Sequence, residues 1–236
     1  MKVSEFVQTV ATTVGNDALE GAIVLVALDR PVDRLIQLAQ ALDGYHPGRP
    51  SPWSHSFLIA RTFSGATTPI LDCTIRDKNN HIIWKESLLD VLKTILIKSG
   101  GIYSGQLGDY DDPRVHPVGV KLLTTISGSG RAKIVAAGHS LQAQGYRYDL
   151  PGLFRELFRL ITTIPIPPGD KLLFCSAFCQ QAYRDALGDD GDFKRGTKSQ
   201  DILPDDLWYS ALGRPFPPDV PTPQLHTVAG EASGSN

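Results

Sequence analysis

Two apolar segments with a short stretch between them constrain the fold of this chain more than any other feature. Residues 55–61 and 69–75 have the composition of strands, and the Ser-Gly-Ala-Thr stretch at 64–67 lies between them. They predict a hairpin or a meander. A continuous apolar run at 21–28 predicts a further, buried strand. Helical patterns are mixed with these strands without strict alternation, which favours an α+β fold over a doubly wound sheet.

The other segments extend this pattern. Helical spacing of apolar residues predicts helices at 3–14, 32–42, 87–97, 130–143, 150–161, 175–187 and 201–213. Further strands are predicted at 81–84 and 118–126. High Pro and Gly content predicts loops at 43–52 and 99–117, the second of them a lid or an insertion. We expect one domain over residues 1–221 and a disordered tail over 222–236.

Composition excludes several classes of protein. The chain has 236 residues, 42% of them hydrophobic, and a formal net charge of −2, so a sizeable core is expected. The absence of a basic block argues against nucleic-acid binding, and no apolar stretch is long enough for stable membrane insertion.

No Sec-type signal is expected. An odd count of three cysteines fits a reducing compartment. The cytoplasm is the default localisation, although a bacterial effector exported without a cleaved signal would have the same composition.

Cys175 stands where a short apolar run, Leu172-Leu173-Phe174, meets an amphipathic helical pattern. This position puts the thiol at or near the first turn of a helix, where unpaired backbone N–H groups and the helix dipole favour the thiolate. A thiolate so placed is a candidate nucleophile. The structural alternative is a buried, inert cysteine, which is the role that we expect for Cys73 and Cys179.

His55 is the candidate base for Cys175, and Asp72 is the candidate third group that fixes the imidazole. Strand alternation places Asp72 on one face with Ile70 and Thr74. A histidine and a carboxylate on adjacent antiparallel strands can meet across the ladder. The Cys175 backbone N–H would be one oxyanion donor, and His81 is the reserve orienting residue.

At this level of detail the chain resembles the circularly permuted NlpC-type papain-like hydrolases, a family that includes lecithin retinol acyltransferase-like enzymes. In the permuted members the histidine strand precedes the cysteine helix, as it does here. The resemblance is spread over most of residues 20–212. It is carried by Gly21-Ala22-Ile23-Val24-Leu25, Trp53-Ser54-His55, Ile70-Leu71-Asp72-Cys73, Gly145-Tyr146-Arg147-Tyr148-Asp149, Phe174-Cys175-Ser176 and Leu203-Pro204-Asp205-Asp206-Leu207.

The resemblance implies a papain-like fold, with an antiparallel sheet and packed helices, and hydrolysis through a thioester without a cofactor. Its implied substrates are peptides or isopeptides, including cell-wall peptides, or acyl lipids. We expect an amidase or peptidase rather than a lipid acyl hydrolase or acyltransferase. Trp53 and Tyr148 are candidate substrate-binding residues, with aromatic packing as the alternative. Ala22, Ser56, Ala177 and Asp72 depart from residues common in the family, and these departures bear on substrate class more than on fold.

Three other functions compete with this one. Gly138-His139-Ser140-Leu141-Gln142 is similar to the nucleophile elbow of α/β-hydrolase lipases, but its fifth residue is not small, and a helix over 130–143 is favoured. His55, Asp72 and Cys175 are potential zinc ligands, but paired-ligand spacing is missing and no metal is expected. A catalytically silent binding module with the same fold stays open. The sequence does not indicate an oligomeric state.

Overall fold

We describe the protein from a computed structural model, for residues 1–41, 49–76, 82, 100–148 and 172–218. These residues form an α+β structure in which helices pack on an eight-stranded sheet. Strands β1 to β8 span Ile23–Leu28, His55–Ile59, Pro69–Thr74, Gly101–Gln106, Val115–Leu122, Arg147–Tyr148, Leu172–Leu173 and Arg214–Phe216. Helices α1 to α5 span Val3–Val14, Pro31–Gln40, Gly128–Ala143, Cys175–Leu187 and Pro204–Tyr209.

The strands of the sheet run in the order β7-β6-β4-β3-β2-β1-β5-β8. All neighbouring strands are antiparallel except β6 and β7, which pair in parallel. The expected pairing of 55–61 with 69–75 is confirmed, because β2 and β3 are antiparallel neighbours at the centre of the sheet. This pairing brings the residues around His55 and Asp72 close together.

The apolar run in β1 has no alternation because both faces of the sheet are covered. Ile23 and Leu25 face a core cluster that contains residues of α3 and α4. Val24 and Val26 face a second cluster that contains residues of α1. Successive strand residues point to opposite faces, so a strand buried on both faces must be apolar throughout.

Helices α3 and α4 lie on the same face of the sheet, and local sequence signals set where they begin and end. Ser127 caps α3 by accepting a hydrogen bond from the Gly130 N–H at 3.2 Å. Gly188 ends α4 with φ of 63°, a conformation that glycine adopts at little cost. A Cβ atom at Gly138 would lie 2.9 Å from a Leu71 methyl, so glycine at this position lets α3 approach β3 closely.

Several predicted elements are confirmed with small changes at their ends. The helices predicted at 3–14, 130–143 and 175–187 correspond to α1, α3 and α4, and those at 32–42 and 201–213 correspond to α2 and the shorter α5. The strand predicted at 118–126 begins earlier, at Val115. Other predictions lie outside the described residues. They are the helices at 87–97 and 150–161, the strand at 81–84 apart from Ile82, most of the loop at 43–52 and the tail at 222–236.

The loop predicted at 99–117 is wrong. This segment contains β4, a 3-10 turn at Leu107–Tyr110 and the first residues of β5. Its Gly, Asp and Pro content indicated a loop, but six consecutive β4 residues pair with β3, from Gln106 opposite Pro69 to Gly101 opposite Thr74. Tertiary pairing therefore overrides local propensity. Among the helices of the described ranges, none is both long and apolar enough to cross a membrane.

Candidate active site

Cys175 is the first residue of α4 and directly follows the short edge strand β7 and Phe174. The first N–H groups of a helix have no partner within the helix. The thiol of Cys175 therefore lies at the end of α4 where the free N–H groups and the helix dipole favour negative charge. The residue is only 2% exposed. Its neighbour Ser176 fixes the start of the helix by donating a hydrogen bond to the Ile202 carbonyl at 2.6 Å.

His55, the first residue of β2, is buried and contacts Asp72 on β3. Its Nε2 lies 2.9 Å from Asp72 Oδ1 and 2.9 Å from the Tyr110 hydroxyl oxygen. Both oxygens accept from the Nε2–H in this arrangement. The sequence-based expectation that an imidazole and a carboxylate meet across β2 and β3 therefore matches the geometry, and Nδ1 is the ring nitrogen left for another partner.

Tyr110, which was not identified from the sequence, also contacts the Asp72 carboxylate. Its hydroxyl donates to Asp72 Oδ2 at 2.6 Å, and its ring stacks on Phe57 with centroids 4.4 Å apart. The Arg76 guanidinium lies 3.7 Å from the same Oδ2. Tyr110 is the last residue of the 3-10 turn, inside the segment that was predicted to be a loop. The Gly, Asp and Pro content of that segment gave no indication that one of its side chains is buried beside Asp72.

The charges of this cluster support one another. Burial alone would lower the pKa of His55, but the Asp72 carboxylate and the neighbouring Cys175 side chain outweigh it and raise that pKa to about 10. Burial acts to raise the pKa of Asp72, yet His55, Arg76 and the Tyr110 hydroxyl together hold it below its ordinary value. The hydrogen bonds of the His55 ring go from Nε2 to Asp72 and Tyr110, and the Cys175 side chain is close enough to contribute to the raised pKa of His55.

A second group of polar residues lies near Cys175. Tyr148 in β6 is half-buried, and removal of its hydroxyl from water, together with the charge of Cys175, raises its pKa well above the ordinary value. The Arg30 guanidinium, which forms an ion pair with Asp33 at the start of α2, also acts on Tyr148. Tyr148 was predicted to bind substrate, and that role stays a prediction, whereas Arg30 and Asp33 were not identified from the sequence.

Trp53, the other candidate substrate-binding residue, is 1% exposed. Its ring packs against Trp208, with centroids 4.6 Å apart, within the core cluster on the α4 face of the sheet. This is the packing role that was the alternative for Trp53. A substrate could reach its indole only if the surrounding core moved.

The two other cysteines are buried, and each connects the Cys175 region to the sheet. The Cys73 thiol donates to the Leu173 carbonyl at 3.2 Å, two residues before Cys175. The Cys179 thiol lies 3.7 Å from the Ser56 hydroxyl, and burial raises its pKa well above the ordinary value. Both residues are therefore suited to a structural role. In the described part of the chain, no group of three or more His, Cys, Asp or Glu residues is placed to hold a metal ion.

Ser140, the alternative nucleophile, lies inside α3. The residues that would form the strand before a nucleophile elbow are part of the same helix, Gly128–Ala143. Ser140 is exposed, and its hydroxyl accepts a hydrogen bond from Gln144 Nε2 at 3.0 Å. A nucleophile elbow requires a sharp turn from strand to helix, and this segment has no such turn.

A comparison of the sequence with protein-family models finds no matching family, and a comparison with curated proteins finds no matching relative.

Proposed function

We propose that this chain is a cysteine hydrolase with a permuted papain-like fold, in which Cys175 is the nucleophile, His55 the base and Asp72 the group that orients the base. The observation that carries the proposal is the position of His55. Its Nε2 is bound by Asp72 and Tyr110, which leaves Nδ1 for another partner, and the Cys175 side chain is close enough to contribute to the raised pKa of His55. A nucleophile, a base and a group that orients the base are what thiol hydrolysis requires.

The reaction follows from these contacts. The Cys175 thiol gives its proton to His55 Nδ1, and the raised pKa of His55 favours the resulting thiolate–imidazolium pair. The sulfur attacks the substrate carbonyl carbon, a C–S bond forms, and the oxyanion is held by the Cys175 backbone N–H and a second donor. His55 then protonates the leaving amine as the C–N bond breaks. It next takes a proton from water, which hydrolyses the thioester and releases the acid and the thiol.

We propose that the bond cut is an amide, in a peptide or an isopeptide. The acyl group passes from the amine to sulfur and then to water, so no cofactor or metal takes part in the proposed steps. Asp72 keeps Nε2 protonated throughout, which directs Nδ1 to the sulfur. Tyr110 holds the second carboxylate oxygen and so limits rotation of Asp72.

The test is alkylation by iodoacetamide near pH 6, followed by mass spectrometry of each cysteine. A thiolate paired with His55 should react about tenfold or more faster than an ordinary free thiol at this pH. Cys73 and Cys179 should label much more slowly, because the Cys73 thiol is engaged by the Leu173 carbonyl and burial raises the pKa of Cys179 well above its ordinary value. The variant His55→Ala should slow labelling of Cys175, whereas His139→Ala, on the exposed side of α3, should not.

Equal and slow labelling of Cys175 in the wild type and in His55→Ala would refute the proposal and favour a silent binding module. Because His55 is buried, the circular dichroism spectrum of His55→Ala must match that of the wild type. If it does not, His55→Gln provides the same comparison with a smaller change of volume.

A further inference from the structure

A surface groove lies along the second half of α4. It has a volume of about 610 Å³, within the size range of small-molecule sites. The described residues that line it include Tyr146, Leu173, Gln181, Arg184, Lys198 and Ser199. None of the three candidate catalytic residues is among them, so the groove is a separate place on the surface of the protein.

Helix α4 separates this groove from Cys175. Arg184 follows Cys175 by nine positions in the helix, which is about two and a half turns. The two side chains therefore point to opposite sides of the helix, about 13 Å apart along its axis. A ligand in the groove would not contact the thiol, and an inference about the groove does not depend on the proposed function.

The charge that lines the groove is positive. Among its described lining residues Arg184 and Lys198 are cationic, and none is acidic. Neither side chain forms an ion pair or a hydrogen bond within the described ranges. Asp185, the acid that follows Arg184, accepts a hydrogen bond from Gln181 Nε2 at 2.6 Å and does not line the groove. Two cations without a carboxylate between them favour an anionic ligand.

Ser199 gives a second, independent indication of a ligand. The residue is only 6% exposed, and its hydroxyl oxygen has no hydrogen-bond partner in the part of the chain that the structure describes. Buried hydroxyls in native proteins are normally hydrogen-bonded, and an unpaired one costs free energy. An acceptor oxygen of a ligand in the groove would remove that cost.

The number of charges and donors fits a phosphate group better than a carboxylate. A phosphate monoester carries a charge of about −1.5 to −2 at pH 7 and has three strong acceptor oxygens. A carboxylate carries a single charge, which would leave one of the two cations unbalanced. Arg184, Lys198 and Ser199 together offer two positive charges and three donor side chains.

The size of the groove indicates that the phosphate is part of a larger molecule. A volume of about 610 Å³ is much more than one phosphate group fills. Tyr146 is half-buried and lines the groove together with Leu173, so an aromatic ring and an apolar side chain lie beside the cations. We propose that the groove binds a small organic phosphate ester, with its phosphate held by Arg184, Lys198 and Ser199 and its organic part packed against Tyr146 and Leu173.

The experiment compares three probes in a chloride buffer free of phosphate and sulfate: phenyl phosphate, benzoate and inorganic phosphate. Binding to the full chain is measured by NMR titration of its amide resonances. We expect phenyl phosphate to bind about tenfold more tightly than benzoate, because its additional charge faces a second cation. It should bind about fivefold more tightly than inorganic phosphate, because its ring packs against Tyr146. The affinity should decrease with added salt.

Substitutions of the two cations test where the phosphate lies. Arg184→Gln and Lys198→Gln should each weaken the binding of phenyl phosphate about fivefold. Lys133→Gln is the matched control. It removes an exposed cation of α3 that does not line the groove, and it should leave the affinity unchanged.

Ser199→Ala separates a binding role from a structural one. It should weaken the binding of phenyl phosphate about fivefold, because it removes a donor to a charged group. It should not lower the free energy of unfolding of the free protein, because the hydroxyl has no partner there among the described residues. A less stable Ser199→Ala protein would overturn the assignment of this hydroxyl to a ligand.

Three other results would overturn the proposal. They are equal affinities for phenyl phosphate and benzoate, no binding of phenyl phosphate at millimolar concentrations, and unchanged affinity in both Arg184→Gln and Lys198→Gln. Saturating phenyl phosphate should also leave the rate of Cys175 alkylation by iodoacetamide unchanged. Protection of Cys175 would place the ligand at the candidate active site and overturn the groove assignment, whereas the proposed function would be unaffected.

Discussion

Replacing Asp72 by asparagine is the sharpest test of the electrostatics around His55. The side chain keeps its shape but loses the charge that His55 Nε2 contacts at 2.9 Å. The Tyr110 hydroxyl can still donate to the amide oxygen that replaces Oδ2. What changes is the field at His55: burial, which lowers its pKa, is then opposed mainly by Cys175. We expect the pKa of His55 to fall from about 10 to near or below its ordinary value.

The consequence for stability has a definite sign. In the wild type the pKa of His55 is raised on folding from 6.5 to about 10. The corresponding stabilisation is fully present below pH 6.5 and is lost as the pH rises through about 10. Its size is on the order of 5 kcal/mol. The stabilisation that comes from Asp72 depends on pH in the opposite direction. It is fully present above the ordinary aspartate pKa and is lost as the pH falls through the lowered pKa of Asp72.

Urea unfolding between pH 6 and 10 measures this difference directly. The free energy of unfolding of the wild type should fall across this interval, whereas that of Asp72→Asn should stay level or rise slightly. Titration of the His55 ring nitrogens by NMR should show the shift itself. Asp109→Asn is the matched control, because Asp109 contacts Arg76 at 3.2 Å but not His55, and it should keep the wild-type slope. The reasoning is refuted if His55 titrates at the same pH in the wild type and in Asp72→Asn.

Two further substitutions test the packing and hydrogen bonds that support the site. Tyr110→Phe removes the donor to Asp72 Oδ2 and should reduce the free energy of unfolding by about 1–3 kcal/mol; unchanged stability in urea would contradict this. Gly119→Ala places a methyl group 2.6 Å from the Trp208 ring and should cost about 1–3 kcal/mol by overpacking. Gly101→Ala, with 3.4 Å to its nearest atom, should be less destabilising by the same assay, and equal losses would count against the argument.

The parts of the site that sequence predicts well are those determined by local pattern. The change from apolar strand to amphipathic helix predicted Cys175 at or near the first turn of a helix, and it is the first residue of α4. Strand spacing located His55 and Asp72 on neighbouring antiparallel strands. Both inferences depend on a few consecutive residues, and hydrophobic periodicity reports such short-range structure directly.

The parts that sequence missed depend on contacts between distant segments. Strand β4 contains Gly101 and Gly105, which weaken a strand, and its pairing with β3 compensates for this weakness. Gly105 also has a packing reason: a Cβ atom there would lie 2.6 Å from Arg76 Nη2 and 2.8 Å from Asp109 Oδ2. The glycine that indicated a loop is therefore the residue that leaves room for an ion pair beside the site.

The same contacts explain how a buried carboxylate can stay charged at this site. Asp72 is fully buried, and an isolated carboxylate in that position would become protonated rather than remain charged. His55, Arg76 and Tyr110 reverse this tendency, and Tyr110 belongs to the turn that follows β4. The orientation of the proposed base thus depends on the folding of residues 101–110. This segment contains none of the three candidate catalytic residues that were predicted from the sequence. Changes at Tyr110, which contacts both His55 and Asp72, should therefore alter the titration of His55 even where they leave Cys175 and Asp72 untouched.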